Sequence, residues 1–299
     1  ASDGPTSAQI FRIDNPASAL ETQRLTTINA IDTVATAKAQ ASASAAAKET
    51  KDLEDDKVKV VVYAPTEARG IATDAQGYSY VVCTSAGDFG SSISDGANDL
   101  YLTKVDSEGR TVWMRSLGKA GTGDGVAVTI ADNGEIVVAG TVSSGFSGGD
   151  DGDTDMLVAR YAADGAQRFA TSIRQLGDQN ATALAVGDDG SIYVAGRAST
   201  GGGDAMIVRL DASGKVQEKR TIDSGGSDTI TALAIDGDGQ LLALTKNGNE
   251  SSLLRIDAQD LTSELSSYAL GDVDARAITV SDSGEVAIVG STSVAVNGD

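Results

Sequence analysis

The sequence contains no histidine. That removes the usual general base near neutral pH, the ordinary serine triad and the commonest transition-metal ligand. The single cysteine, Cys83, excludes an internal disulfide framework and a multi-thiolate zinc site. Aromatic residues make up only 4% of the chain, little material for stacking against sugar rings. No apolar run approaches the roughly 18 residues expected of a membrane span. Basic residues are outnumbered, 23 against 43 acidic ones, and the net charge is −20. Neither a nucleic acid nor an anionic membrane is expected to bind such a chain; calcium or a basic protein surface suits it better. No signal peptide opens the sequence, so the numbering is expected to begin after processing or inside a longer protein.

What is present falls into two regions. Residues 1–56 are rich in Ala, Thr, Gln and Lys, and between Asn15 and Asp56 they hold no glycine. Asn15 can cap a helix whose first position is Pro16. Leu25, Ile28, Ile31, Val34, Ala35, Ala39 and Ala43 recur at helical spacing. The pattern predicts one continuous amphipathic helix over 17–52. Its seam is narrow, and such a helix is marginal unless the seam packs on something. It can lie on its own domain or join other copies and partners.

From Lys57 to Asp299 the composition changes to Gly, Asp, Val and short apolar runs. One phrase recurs: "DAQGYSYVVC", "DNGEIVVAG", "DDGSIYVAG", "DGDGQLLALT" and "DSGEVAIVG". Aligned on Gly77, Gly134, Gly190, Gly239 and Gly284, the copies lie 57, 56, 49 and 45 residues apart. Seven residues before each glycine stands Gly70, Ala127, Ala183, Ala232 or Ala277, followed by a large apolar residue and then a small one. Period-two alternation of small and large residues predicts a strand with one crowded face. These strands are expected at 70–74, 125–131, 181–187, 230–236 and 275–281. Each runs into a glycine turn and a second strand, as in a hairpin. A third strand, apolar on both faces, follows at 99–106, 155–162, 204–211 and 250–257, as expected of a strand covered on both sides. A more polar fourth strand comes last.

Four antiparallel strands repeated every 45–57 residues, with small residues on the first, read as β-propeller blades. "GVAVTIADNGEIVVAGT" and "ATALAVGDDGSIYVAGR" resemble the bacterial propeller repeat family known as SBBP, and more loosely the NHL type. The resemblance spans residues 57–299 and implies a fold, not an activity. The fold class is mainly β: at least four blades plus a partial one, behind an N-terminal α-helical segment. The last copy stops where its third strand should start. Either the chain is part of a longer protein or the last blade is incomplete.

Several positions invite a chemical reading. Asp150, Asp151, Asp153 and Asp155 crowd one glycine-rich loop, and hard cations such as calcium take oxygen ligands from such loops. The glutamate of a full EF-hand loop does not follow, and a solvated acidic loop is the plainer reading. An acid opens every third strand (Asp99, Asp155, Asp204, Glu250), and five residues later stands a base (Lys104, Arg160, Arg209, Arg255). Repetition in every blade points to turn hydrogen bonds and structural ion pairs; a ring of charge facing an anionic partner is the alternative. Cys83 falls where the other copies carry Gly140, Gly196, Thr245 and Gly290, a slot for a small inert residue. Trp113 and Phe169 share an outer-strand position suited to packing between blades. The runs "GTGDG" and "STGGGD" lack the lysine of a phosphate loop.

Together these features suggest a non-enzymatic bacterial protein, extracellular or on the cell surface. It would display a propeller on an assembly helix and meet a protein partner or its own copies through that helix; an appendage-associated protein is a specific variant of this reading. The competing readings are a calcium-dependent glycan-binding module and a propeller enzyme acting on polysaccharide through paired carboxylates. One consequence is independent of function. Ala183 sits in the crowded slot, so Ala183→Leu should overpack it and destabilise the chain by roughly 1–3 kcal/mol. Thermal unfolding of the variant checks this.

Overall fold

Every regular element among the described residues is a strand. These residues, in a computed structural model, are 10–13, 25–28, 66–85, 99–117, 123–143, 153–199, 203–281 and 283–292. The chain divides into two compact units, Ala1–Gly125 and Val126–Asp299. The first holds β1 (Ile10–Ile13), β2 (Leu25–Ile28), β3 (Thr66–Thr73), β4 (Ser79–Ser85), β5 (Asp99–Val105) and β6 (Thr111–Leu117). β7 (Gly123–Ile130) begins at its end. The second unit continues with β8 (Ile136–Ser143), β9 (Thr154–Tyr161) and β10 (Gln167–Ile173). Then come β11 (Gln179–Val186), β12 (Ile192–Ala198), β13 (Asp204–Leu210) and β14 (Val216–Ile222). β15 (Asp228–Ile235), β16 (Leu241–Asn247), β17 (Glu250–Ile256) and β18 (Glu264–Asp272) form the next group, and β19 (Asp274–Val280) and β20 (Val286–Ser291) end it.

Sheet order follows chain order. β3–β6, β7–β10, β11–β14 and β15–β18 each make a four-stranded sheet, and β19–β20 a two-stranded one. The pairings β3/β4, β11/β12, β15/β16 and β19/β20 are antiparallel hairpins. This is the blade layout of a propeller, and the five expected inner strands all appear, each beginning one to four residues before its expected start. Of the helix expected over 17–52, the described residues include only Leu25–Ile28, which pair as a strand with Ile10–Ile13. "LTTI", with three β-branched residues in a row, suits a strand there. The rest of that expectation lies outside the described residues.

The turns explain the recurring phrase. Gly77, Gly134, Gly190, Gly239 and Gly284 all have φ between 76° and 84°, a conformation that side chains resist. The acid ahead of the glycine fixes the turn: Asp74 Oδ1 accepts the amides of Gln76 at 3.0 Å and Tyr78 at 2.8 Å. Asp106, Asp211 and Asp236 each bind two turn amides in the same way.

In the second unit the core lies between successive sheets. On β12 and β13 of the second unit, Ile192, Val194, Met206 and Val208 pack with Val137, Met156 and Val158 of the preceding sheet. Their alternating neighbours Tyr193, Ala195, Ala205 and Ile207 pack with Ile230, Leu241, Leu254 and Ile256 of the following one. Period two puts one strand into two cores at once, so β9 and β13 are buried along nearly their whole length. The outer strand β14 alternates between half-buried and exposed. β11 lies against β15, and β15 against β19.

Each inner strand except β7, whose register is not described, carries a one-residue bulge, at Arg69, Thr182, Thr231 and Arg276. The bulge turns the residue sideways, and in two copies it ties adjacent inner strands together. Thr182 Oγ1 donates to the carbonyl of Ile230, and Thr231 Oγ1 to that of Ala275 at 2.8 Å. Opposite the bulge the backbones come so close that a Cβ on Gly196 would overlap the carbonyl oxygen of Asn180. On Gly290 it would overlap that of Asp274. The slot is therefore small because backbone, not side chain, fills it. Gly196→Ala should force the bulge to shift and destabilise the protein by roughly 1–3 kcal/mol. Alanine at Gly237, where open space surrounds the position, should be close to neutral. Denaturant titration of the two variants tests the contrast.

Candidate functional site

Charge sits where strands end, because the middles of β9 and β13 are sealed between sheets. The bases of the third strands prove to be clasps. Arg160 Nε lies 2.8 Å from Glu135 Oε2 in its own blade, and its Nη1 donates to the carbonyl of Ala212 in the next blade's outer turn at 3.0 Å. Arg209 spans likewise: it lies 3.3 Å from Glu218 and donates to Gln259 Oε1 of the following blade at 3.3 Å. Arg255 holds Asp236 at 2.7 Å. Lys104 places its ammonium 4.0 Å from the centre of the Tyr78 ring. These bases serve the blades themselves. Phe169 covers Gly214 of the next blade, as expected of a packing position, whereas Trp113 tilts against Tyr80 of its own blade at 5.9 Å.

The acids opening the third strands differ more. Asp99 accepts the Tyr101 hydroxyl at 3.4 Å. Asp155, almost fully buried, accepts Ser172 Oγ at 3.0 Å and Arg174 Nε at 3.3 Å through Oδ2. Asp155 Oδ1 has no hydrogen-bond partner among the described residues, and neither has Oδ1 of Asp204, which is also buried. Its carboxylate instead converges with those of Asp223 and Asp228, one oxygen of each lying within 4.8 Å of the others. Neither Asp223 nor Asp228 stands out in the sequence. The signal was the run "IDSGGSD" after an outer strand, where blade two has "IRQLGDQ".

Of the four aspartates proposed from the sequence as calcium ligands, Asp150 and Asp151 lie outside the described residues. Asp153 Oδ2 accepts the Gly177 amide at 2.9 Å. With Asp155 engaged as above, both described members hold neighbouring chain. Cys83 is buried, and burial pushes its thiol up to about 12, so it stays protonated and unreactive at neutral pH.

Two hollows open in the second unit. One, of about 440 Å³, is bounded by Thr129, Leu184, Val186, Leu233, Ile235 and Val280 of the inner strands, with Asp188 and Asp236 at its edge. No aromatic ring lines it. The other, of about 560 Å³, lies beside the last hairpin, where the Arg255 clasp meets exposed Tyr268 and Val286. No helix among the described residues is long and apolar enough to cross a membrane.

No known family profile matches the chain. It is similar to the regulatory protein FlaEY of Caulobacter vibrioides, 32% identical over 114 residues that make up 35% of this chain and 12% of that protein. The chain thus matches about an eighth of that relative's length. Among solved structures, a protein of unknown function from Dyadobacter fermentans superposes with a TM-score of 0.52 at 13% identity, over 75% of this chain and 74% of that one. The Dos1 propeller does so with a TM-score of 0.47 at 13% identity, over 74% and 56%. At such identities a shared fold is all that follows. The chain is mainly β, with four-stranded antiparallel blades.

The Arg160 clasp makes a sharp prediction. The Arg160 side chain is 4% exposed, whereas Arg168, which lies 2.9 Å from the same Glu135, is 56% exposed. Arg160→Ala leaves a turn carbonyl without its donor and Glu135 with Arg168 and Asn133 alone, and should cost roughly 1–3 kcal/mol, Arg168→Ala under about 1 kcal/mol. Burial raises the Glu135 carboxyl, but hydrogen bonds from Asn133 and Arg168 and the Arg160 charge outweigh it and hold the group below its ordinary value. A depressed carboxyl stabilises the fold above its unfolded value, about 4.3, and that contribution fades as the pH falls through the folded value. Melting temperatures measured from about pH 6 down to about pH 3 should fall less steeply for Glu135→Gln than for the parent chain.

Proposed function

We propose that this chain is a non-enzymatic bacterial interaction protein whose blades, of the SBBP type, form a rigid platform presented outside the cell. The observation that carries the reading is the fate of the repeated charges. Arg160, Arg209 and Arg255, with the acids of the turns, are committed to clasps within and between blades. Histidine is absent and the one thiol is buried and protonated, so two of the groups that usually perform acid–base or nucleophilic work are not available. Similarity to part of a protein named as regulatory accords with binding rather than turnover. A net charge of −20 would favour a basic protein partner.

Association is assigned to residues 1–56. That stretch is alanine-rich and carries the apolar series Leu25, Ile28, Ile31 and Val34, too narrow to build a core of its own. Deleting it should leave a chain with an unchanged β spectrum, while the mass measured by light scattering falls to that of a single copy. An unchanged mass would remove the association role from this segment. Conversion of any of a panel of polysaccharides by the intact chain would overturn the non-enzymatic reading.

A further inference from the structure

We propose that the third blade binds a calcium ion between Asp204, Asp223 and Asp228. The comparison with the blade before it is the starting point. In blade two, Met156 pairs with Ile173, and the next residue, Arg174, brings its guanidinium to the buried Asp155. In blade three, Ala205 pairs with Ile222 in the same way, and the next residue is Asp223. An acid stands where its neighbour keeps the compensating cation. At the start of the following inner strand, Asp228 stands where blade three itself begins with Gln179. Two positions that are neutral or basic at the blade before are acidic around one repeated carboxylate position, and Arg174 has no counterpart.

Three carboxylates do not gather without compensation. Asp204 is 7% exposed and Asp228 2% exposed, so water screens their mutual repulsion poorly. The unpartnered Oδ1 of Asp204 is the second mark of a missing ligand. A buried acceptor is ordinarily satisfied; Asp155 Oδ1 is likewise unpartnered, but there the Arg174 guanidinium supplies the compensating charge. Arg197 packs on the same turn and donates Nε to the Gly203 carbonyl at 3.4 Å, yet it forms no ion pair with the three acids among the described residues.

The spacing and support suit calcium. Calcium accepts irregular sets of carboxylate, carbonyl and water oxygens at about 2.3–2.6 Å, whereas magnesium demands near-ideal octahedral geometry at about 2.1 Å. Three carboxylates with water make up the six to eight oxygens that calcium takes. The carboxylates are oriented from behind: Ser224 donates its amide to Asp228 Oδ2 at 2.9 Å, and Asn247 Nδ2 donates to Ser224 Oγ at 2.8 Å. The Gly225 amide fixes Asp223 Oδ1 at 2.8 Å, and the Asp228 amide ties the segment to the Gly203 carbonyl at 2.8 Å. Such outer contacts hold ligating oxygens in place. This inference is independent of the proposed platform role.

The test is calorimetric titration of calcium chloride into the chelator-stripped chain, with melting temperatures in parallel. One ion should bind, with Kd roughly 10⁻⁴–10⁻³ M. Asp223→Asn, at an exposed position that should not disturb folding, should weaken binding at least about tenfold, as loss of one of three charged ligands implies. Asp223→Arg, which copies blade two, should abolish binding and melt higher than the parent in chelator. The pair Asp151→Asn and Asp153→Asn should bind as the parent does. Absence of binding at about 10 mM calcium would overturn the proposal. So would binding that survives Asp223→Asn unchanged, binding lost in the Asp151/Asp153 pair instead, or magnesium bound as tightly as calcium.

Discussion

The fold rests on apolar contact between the faces of successive sheets. A strand such as β13 contributes Met206 and Val208 to one interface and Ala205 and Ile207 to the next. Neither face can therefore be given to water, and neither can carry function. Dispersion and apolar burial in two cores at once make the middle of each blade the least changeable part of the molecule. Charged groups are pushed towards the strand ends, the turns and the outer strands. The glycine turns and their aspartates are consequences of this: hairpins must reverse tightly enough for the next sheet to stack, and the turn amides must be satisfied at the edge of a dry interface.

Burial also decides what the charges do. Arg160 is long enough to run along the interface and reach polar atoms at two different turns, one in each of two blades. A guanidinium offers five donors in a fixed fork, so one side chain can serve both a carboxylate and a carbonyl. The pair Glu135 and Arg160 is not needed to make the interface apolar, and its net worth is modest while intact. What it sets is the cost of a mismatch: a blade slipped by one residue would leave the buried Arg160 guanidinium without its partners. The clasps thus work as register marks between neighbouring sheets, a role that apolar packing alone performs poorly.

Much of this was legible in the sequence because propeller blades repeat. Alignment of five glycines located every inner hairpin, since Gly77 and its counterparts need positive φ and little else tolerates it. The double-faced third strands and the pairing of their bases were readable for the same reason. What could not be read was anything depending on contact between copies. The bulge at Thr182 and the backbone approach at Gly196 look in the sequence like a preference for small residues, whereas their cause is a carbonyl oxygen of the partner strand. The convergence of Asp204, Asp223 and Asp228 was invisible because sequence offsets of 19 and 5 residues say nothing of convergence until the strand register is known. The aspartates of the 150–155 loop attracted notice because they are adjacent in sequence, yet Asp153 and Asp155 each hold a different neighbouring segment.

In a repeat protein, agreement between copies records what the fold requires, and departures from agreement are where a particular role can be written. Thr84 and Thr141 occupy one position of the second strand and accept an amide from the following inner strand, at 2.9 Å from Gly125 and 3.0 Å from Ala181. In the next two copies that position holds Arg197 and Lys246. Lys246 forms an ion pair with Asp274, so a neutral hydrogen bond has been replaced by a charged one with the same bridging effect. Arg197 forms no ion pair among the described residues and donates to the Gly203 carbonyl instead. Structural duty is therefore met in three of the four copies and relaxed in the third blade, where Asp223 also breaks the pattern set by Arg174. Two independent positions depart from the rule at the same end of the same blade. Drift would scatter such changes over the whole chain; their coincidence beside a buried, unsatisfied carboxylate marks the third blade as the one bent to a purpose the others do not share.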